Sequence, residues 1–372
     1  MAKVHISLVG GQPTPVYQGV LLSQPDRIIL ICSGTTKNNA ESIRKRLNDL
    51  QYFNVLIEVL PVENAAVIKE RIEFILSNYV GEQDSLTMNL SSGVKIWSLL
   101  FLQLCGHTDA HIYCLSQNGE VLTVRGSAPF DKVDFDMFTQ FKLLDHPLER
   151  YTCFVDYGDN EKQNAKTLKQ LYKNSTFQKL KKALLLQVQQ QYAGNNKAFA
   201  RIDQTIDLGN NQYIEWHAMD KVFSISLNDK LYYEVLGDHA VDMLLNTAWF
   251  EYEVASVMAE IYGAHNVYSN CRFLTADGTD KNEVDVIVNT GQKLLFVECK
   301  TAISKITDID KFASVVRNYG GNGSKALFVT LDDMNSVQKE KCRDNHIEAI
   351  HLQTSVVQMK NYIQSILTIP NV

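Results

Sequence analysis

Short apolar runs alternate with longer amphipathic stretches through the first 150 residues. Val4–Val9, Arg27–Cys32, Val55–Val59, Ser85–Leu90 and His111–Leu115 are rich in Val, Ile and Leu and bounded by Gly, Pro, Asn and Ser, which predicts strands. Helix-period segments lie between them near 38–51, 64–79 and 94–105. Continuously apolar strands separated by helices predict a parallel sheet covered on both faces, a Rossmann-like α/β domain over residues 1–150. Such sheets bind ligands beyond the carboxyl ends of their strands.

Three loops fall at those ends. Val9, Gly10, Gly11, Gln12, Pro13 and Thr14 form the first; Ser33, Gly34, Thr35 and Thr36 the second; Ser91, Ser92 and Gly93 the third, with Lys95 just beyond it. Small residues, hydroxyls and free backbone N–H groups at helix starts favour phosphate. The same residue types also serve plain turns and N-caps. No GxGxxG fingerprint or GxxxxGK(S/T) occurs, which argues against a dinucleotide-dependent oxidoreductase or a P-loop enzyme.

Residues 151–237 read as a connector, helical first and then a small antiparallel sheet with a turn at Gly209-Asn210-Asn211. Lys162, Lys166, Lys169 and Lys173 recur at helical spacing, followed by Lys179, Lys181 and Lys182. That stripe suits either a solvated helix face or a phosphate guide, and the solvated face is the plainer reading.

Residues 238–372 carry the strongest chemistry. A helix is expected to start after Asp238 and stop at Gly263, with Val241, Leu244, Ala248, Glu251, Ala255, Met258 and Tyr262 on its inward stripe. A carboxylate in that stripe is costly unless it is paired or binds a metal, so Glu251 stands out and Glu253, on another face, does not. Asn282–Val288 and Lys293–Thr301 then predict a hairpin around Thr290-Gly291. With a two-residue loop, Asp285 would face Phe296 and Glu283 would face Glu298. Strand alternation would then put Asp285, Glu298 and Lys300 on one face, with Glu283 beside them. Carboxylate oxygens in such a group suit a hard divalent ion, Mn²⁺ or Mg²⁺. Glu251, Asp285 and Glu298 are the expected metal ligands, and Lys300 is expected to assist hydrolysis at phosphorus. A buried Asp285–Lys300 salt bridge without metal is the structural alternative.

The 372 residues carry a formal charge of −6, so nucleic acid would have to meet a local basic patch rather than a general positive coat. Seven cysteines without a CxxC suggest buried, reduced thiols, and no secretory signal or apolar run of roughly 18 residues is seen, so a soluble cytoplasmic protein with no membrane partner is expected. His107 and His111 read as ordinary core or surface histidines.

Trp249-Phe250-Glu251, then Asp285, then Glu298-Cys299-Lys300 after 12 intervening residues resemble the motif series of PD-(D/E)xK restriction-endonuclease-like nucleases. Val284 stands where the motif's name has Pro. Residues 4–14, Ser33–Thr36 and Asn89–Lys95 resemble the CARF sensors of cyclic oligoadenylates. The order of sensor, connector and nuclease resembles the Card1/Can2 group of type III CRISPR ancillary nucleases over nearly the whole chain. The resemblance implies a homodimer, one cyclic tetra-adenylate on the sensor two-fold axis as allosteric activator, and metal-dependent cleavage of DNA or single-stranded RNA in antiviral defence. A nucleotide-sensing, nucleic-acid-binding regulator with an inactive nuclease domain is the alternative.

Overall fold

The computed structural model describes residues 1–106, 109–115, 120–126, 136–275, 278–291, 293–303, 305–321, 324–352 and 356–368. His107 and Gln292 lie outside them.

The chain opens with β1 (Lys3–Leu8), α1 (Thr14–Ser23), β2 (Arg27–Cys32), α2 (Lys37–Asp49), β3 (Val55–Val59), α3 (Ala65–Tyr79), β4 (Ser85–Asn89), α4 (Lys95–Leu104), β5 (His111–Leu115) and β6 (Val121–Arg125). The strands form one sheet in the order β3-β2-β1-β4-β5-β6, parallel except for β6. Alternation divides its residues between two cores. Ile6, Leu8, Ile29 and Ile31 pack with Ile68, Ile72, Trp97 and Phe101 of α3 and α4. Ile28, Leu30 and Cys32 pack with Val16, Val20, Ile43 and Leu47 of α1 and α2. The parallel, doubly covered sheet expected from the apolar runs is therefore present. Helix α1 was not expected. Pro13 reads as part of a loop, yet proline is well suited to a helix start, where its missing N–H costs nothing.

Then come α5 (Met137–Leu143), β7 (Leu148–Cys153), α6 (Asp159–Leu171), α7 (Ser175–Tyr192) and α8 (Asn196–Phe199). A four-stranded antiparallel sheet follows, made of β8 (Gln204–Asp207), β9 (Tyr213–His217), β10 (Val222–Asn228) and β11 (Leu231–Leu236). Its first turn holds Gly209, Asn210 and Asn211 at positive φ, as small and Asn residues allow. Lys162, Lys166, Lys169 and Lys173 are exposed, the solvated-face reading of that stripe.

The remaining elements are α9 (Ala240–Leu245), α10 (Ala248–Tyr262), β12 (Val267–Leu274), β13 (Asp280–Asn289), β14 (Leu294–Lys300), α11 (Thr307–Gly320), β15 (Lys325–Thr330), α12 (Ser336–Asp344), β16 (Ile347–His351) and α13 (Val356–Thr368). The third sheet runs β16-β15-β14-β13-β12-β7, so its edge strand is drawn from residues before the connector helices. Val286, Val288, Val297 and Cys299 pack toward Val254, Ala255 and Met258 of α10. Ile287 and Phe296 pack on the other side with Phe141 of α5 and Phe312 of α11. The single helix expected over 239–262 is two helices, because Thr247 takes a left-handed φ of 61° and breaks the hydrogen-bond ladder. Its N-cap is His239 rather than Asp238. Gly263 caps α10 at φ 85°, as expected.

Helix α5 belongs to two cores at once. Leu143 packs with the N-terminal sheet, while Met137 and Phe141 pack with the third. Gln140 Nε2 donates to the Gly320 carbonyl at 2.8 Å, and a Cβ added to Gly321 would stand 2.8 Å from Gln12 Oε1. A loop at the carboxyl edge of the first sheet thus touches the C-terminus of α11.

His5 is fully buried, hydrogen-bonded to Ser7 and Ser23 at 2.7 Å each, and burial lowers its pKa to about 3. The unfolded chain therefore binds this proton more readily. His5 stability is fully present above about pH 6.5 and is lost as pH falls toward about 3, at up to about 1.4 kcal/mol per unit. Urea unfolding read through amide exchange in β1 should show that acid slope, and His5→Gln should flatten it.

Candidate functional site

Three acids and one ammonium meet where β13, β14 and α10 converge. Asp285 and Glu298 lie on adjacent strands, and Lys300 follows Glu298 on the same face by alternation. The hairpin loop is longer than expected. Asn289 pairs with Leu294, so residues 290–293 form the turn, closed by Thr290 N–H donating to the Lys293 carbonyl at 3.0 Å with Gly291 at φ 80°. Two extra loop residues shift the pairing but preserve its parity. Phe296 consequently faces Ile287, not Asp285, and the last pair of the ladder is Val286 with Val297, just short of Asp285 and Glu298.

Lys300 Nζ stands 2.7 Å from Glu298 Oε1 and 3.6 Å from Asp285 Oδ2. The Cys299 N–H donates to Asp285 Oδ2 at 2.7 Å, which aims the carboxylate at the end of the ladder. Asp285 and Glu298 side chains are only 13% and 15% exposed, against 36% for Lys300. The ion pair is therefore open to solvent on the ammonium side. Glu251 enters from the first turn of α10.

Burial, and then repulsion from Asp285, holds the Glu251 carboxyl well above the usual range. Burial also raises Asp285, against the opposing pull of Lys300 and the Cys299 amide. Glu298 is pushed up to about 7 by burial and by Asp285. Burial would lower the Lys300 pKa, but Asp285 and Glu298 outweigh it and raise it. Cys299 is buried beside all four, and burial pushes its thiol up. Glu253, set aside on sequence grounds, is paired with Lys169 instead.

Among the described residues, no group of three His, Cys, Asp or Glu side chains converges as a ready metal-ligand set. The chemistry of the donor set still fits a hard divalent cation. Three mutually repelling carboxyls, held out of water, favour added positive charge.

A cleft of about 470 Å³ opens beside the cluster, lined by Glu251, Glu283 and Asp285 from one side. Glu298 and Lys300 stand outside its lining. Glu283 is exposed and its carboxylate accepts from Arg272 at 3.1 Å. The cleft's other residues include Arg150, Tyr151, Tyr157, Lys197, His239 and Arg272, none of them singled out by sequence. Arg150 and Arg272 lie on strands distant in the chain, and no local pattern joins them.

The three predicted loops follow β2, β1 and β4, which are adjacent in the first sheet. All three lead into helices, although α4 is capped by Val94 and α2 by Thr36 without a side-chain cap bond. Thr36 Oγ1 donates to the Val9 carbonyl at 3.1 Å, and Asn39 Nδ2 to the Gly10 carbonyl at 2.8 Å, which ties the first and second loops. A Cβ on Gly10 would stand 2.5 Å from Ser92 Oγ, so the first and third loops touch. Gly93 adopts φ 84° with its Cα facing Leu8, a conformation and a space that exclude a side chain. Ser33 Oγ bonds Thr35 and Thr36, and Ser91 Oγ bonds Asn89 and accepts from the Leu115 N–H. Gly11 and Gly34 face open space. The predicted loop residues thus form one continuous edge, with Pro13 and Thr14 at the start of α1 and Lys95 at the start of α4.

Among solved structures, the chain is similar to Can2 from Sulfobacillus thermosulfidooxidans in complex with cyclic tetra-adenylate. The two are 16% identical with a TM-score of 0.64, over 99% of this chain and 100% of that one. The chain has the Can2 fold. The same fold is matched in protein VC1899 from Vibrio cholerae, with 15% identity, a TM-score of 0.72, and coverage of 98% and 97%. A type III CRISPR defence DNA nuclease activated by cyclic oligoadenylate is matched at 13% identity and a TM-score of 0.54, over 97% of this chain and 52% of that one. No protein-family model and no curated protein matches the chain. Among the described residues, no helix is long and apolar enough to cross a membrane.

The raised Glu298 carboxyl sets a stability test. Its folded pKa, about 7, exceeds the ordinary 4.5, so the stability of its protonated form is present below about 4.5 and lost as pH rises through 7. In a chelator, Glu298→Gln should stabilise the protein at pH 8 by on the order of 1 kcal/mol and leave it unchanged at pH 4.5, measured by thermal denaturation. Destabilisation at pH 8 would mean the Lys300 contact dominates.

Proposed function

We propose that the chain is an endonuclease switched on by cyclic tetra-adenylate, acting as a homodimer on DNA or RNA with Mn²⁺ or Mg²⁺ in type III CRISPR defence. The observation that carries the reading is the partly buried group of Glu251, Asp285, Glu298 and Lys300, whose acid Asp285 also borders an open cleft. The Can2 fold, in a structure that holds cyclic tetra-adenylate, supports the sensor half of it.

On this reading residues 1–150 sense, 151–237 connect and 238–372 cut. Glu251, Asp285 and Glu298 would hold the divalent ion, which when bound polarises a phosphoryl oxygen and lowers the pKa of water. Asp285 is oriented for this by the Cys299 amide. Lys300, kept protonated by its two acid neighbours, offsets the negative charge that builds on phosphorus in the transition state. Val9, Gly10, Gln12, Pro13, Thr14, Ser33–Thr36, Ser91–Gly93 and Lys95 receive the activator phosphates and hydroxyls. A ligand shared by two sensor edges favours one dimer geometry over others and shifts the population toward it. The Gln12–Gly321 contact and the double membership of α5 offer a material route from that edge to the third sheet.

Labelled DNA and RNA incubated with Mn²⁺ should be cut only when cyclic tetra-adenylate is added. Lys300→Ala should lower the rate by about 100-fold or more while leaving activator affinity unchanged. Equal cutting without activator would reject the switch, and full activity of the variant would reject the site.

A further inference from the structure

Asn89, the last residue of β4, is fully buried, yet its amide reaches two separate pieces of the first sheet's carboxyl edge. Its Nδ2 donates at 2.9 Å to the carbonyl of Pro15, in the first turn of α1. Its Oδ1 accepts the Ser91 N–H at 3.0 Å and the Ser91 hydroxyl. Ser91 Oγ in turn accepts the Leu115 N–H at 2.6 Å, at the end of β5. These partners fix the orientation of the amide, because a carbonyl can only accept and an N–H only donate. One side chain therefore holds both the start of α1, where the first loop ends at Thr14, and the third loop, where it leaves β4.

A polar side chain is costly in a core unless its bonds are made. The neighbourhood is arranged so that they are. Gly19, one turn after Pro15 on α1, presents no side chain; a Cβ there would collide with Asn89 Nδ2 and stand 2.7 Å from Tyr113 Oη. Glycine inside a helix costs stability relative to alanine, so this gap has a use: it admits the amide. Tyr113 Oη donates to the Gly19 carbonyl at 2.9 Å, which seats the helix one turn further on by a bond that involves neither loop. Thr36 and Asn39 tie the second loop to the first. Asn89 is the corresponding tie between the first and the third.

Resting on the sensor reading, we infer that Asn89 is a positioning residue for the activator. Buried as it is, it does not touch the ligand; it sets the distance between the first and third loops before the ligand arrives. A satisfied buried polar network selects one arrangement of the elements it joins, where apolar contacts alone let a helix slide. A ligand spanning both loops then finds their N–H groups already placed, and less ordering has to accompany binding.

The test is isothermal titration of cyclic tetra-adenylate into the full-length chain, at a temperature where circular dichroism shows each variant folded. Asn89→Leu keeps the size of the side chain and removes its bonds; it should weaken binding by about tenfold or more. Gly19→Ala leaves Asn89 in place but displaces its amide, and should weaken binding in the same direction. Tyr113→Phe removes the neighbouring bond; it should lower the melting temperature and leave affinity within about twofold. Asn89→Asp should bind weakly at pH 8 and regain affinity as pH falls, because a protonated carboxyl can donate to the Pro15 carbonyl as the amide did. If Asn89→Leu does not fold, Gly19→Ala and the pH dependence of Asn89→Asp decide the question. Wild-type affinity in these Asn89 and Gly19 variants, or an equal loss in Tyr113→Phe, would overturn the proposal. Amide exchange of the unliganded protein separates it from the reading on which it rests: residues 9–14 and 91–94 should exchange faster in Asn89→Leu than in Tyr113→Phe. If they do and the wild type takes up no cyclic tetra-adenylate, Asn89 still orders the edge and the sensor reading fails. If the wild type binds and Asn89→Leu binds equally well, the sensor reading stands and the role of Asn89 falls.

Discussion

One ammonium among three carboxyls is the contact on which the rest of this structure turns. Lys300 reaches Glu298 and Asp285 at 2.7 and 3.6 Å, in a place where burial alone would favour neutral groups. Removing it would leave like charges facing each other in a poorly hydrated pocket, one of the costly arrangements a fold can contain. The surrounding sequence is built to hold that arrangement. Val286, Val297 and Cys299 anchor the two strands against α10, while the Cys299 amide fixes the nearer carboxylate. The charged groups occur where the β13–β14 ladder ends, so their geometry comes from the sheet and their accessibility from its fraying edge.

The same sheet explains how a change at the carboxyl edge of the first sheet can be felt at the other end of the chain. Its edge strand, β7, is supplied by the segment that immediately follows α5, and α5 is shared between two hydrophobic cores. A shift of the first sheet's carboxyl edge meets Gly321 through Gln12 and the Gly320 carbonyl through Gln140. Next to them, Tyr319 stacks on Phe273 at 4.0 Å and accepts from Asn282 Nδ2 at 2.6 Å, on the strand that carries Asp285. Close-packed contacts of this kind respond to displacement in steps, not gradually.

Much of this was legible in the sequence, and the failures have definite causes. Apolar runs located β2, β3 and β5 to the residue, most plainly in β2, which is buried from Ile28 to Cys32. Glu251, Asp285, Glu298 and Lys300 were found because charge inside an apolar pattern is expensive and asks for a reason. The hairpin loop was misjudged by two residues, which kept the parity of the paired positions; a miss of one would have reversed them. Helix α1 was hidden by prolines that start helices as readily as they end them. The break at Thr247 was invisible, since the apolar period continues through it. Arg150, Lys197 and Arg272 could not be joined by any local rule, because three separate elements bring them to one cleft.

The central claim is that these acids share a cation. Electron paramagnetic resonance of Mn²⁺ titrated into the protein reads that sharing without reference to catalysis. The account predicts bound Mn²⁺ in the wild type and its loss in Asp285→Asn, with the variant still folded by circular dichroism. Mn²⁺ bound equally by the two proteins would place the ion elsewhere and contradict the assignment.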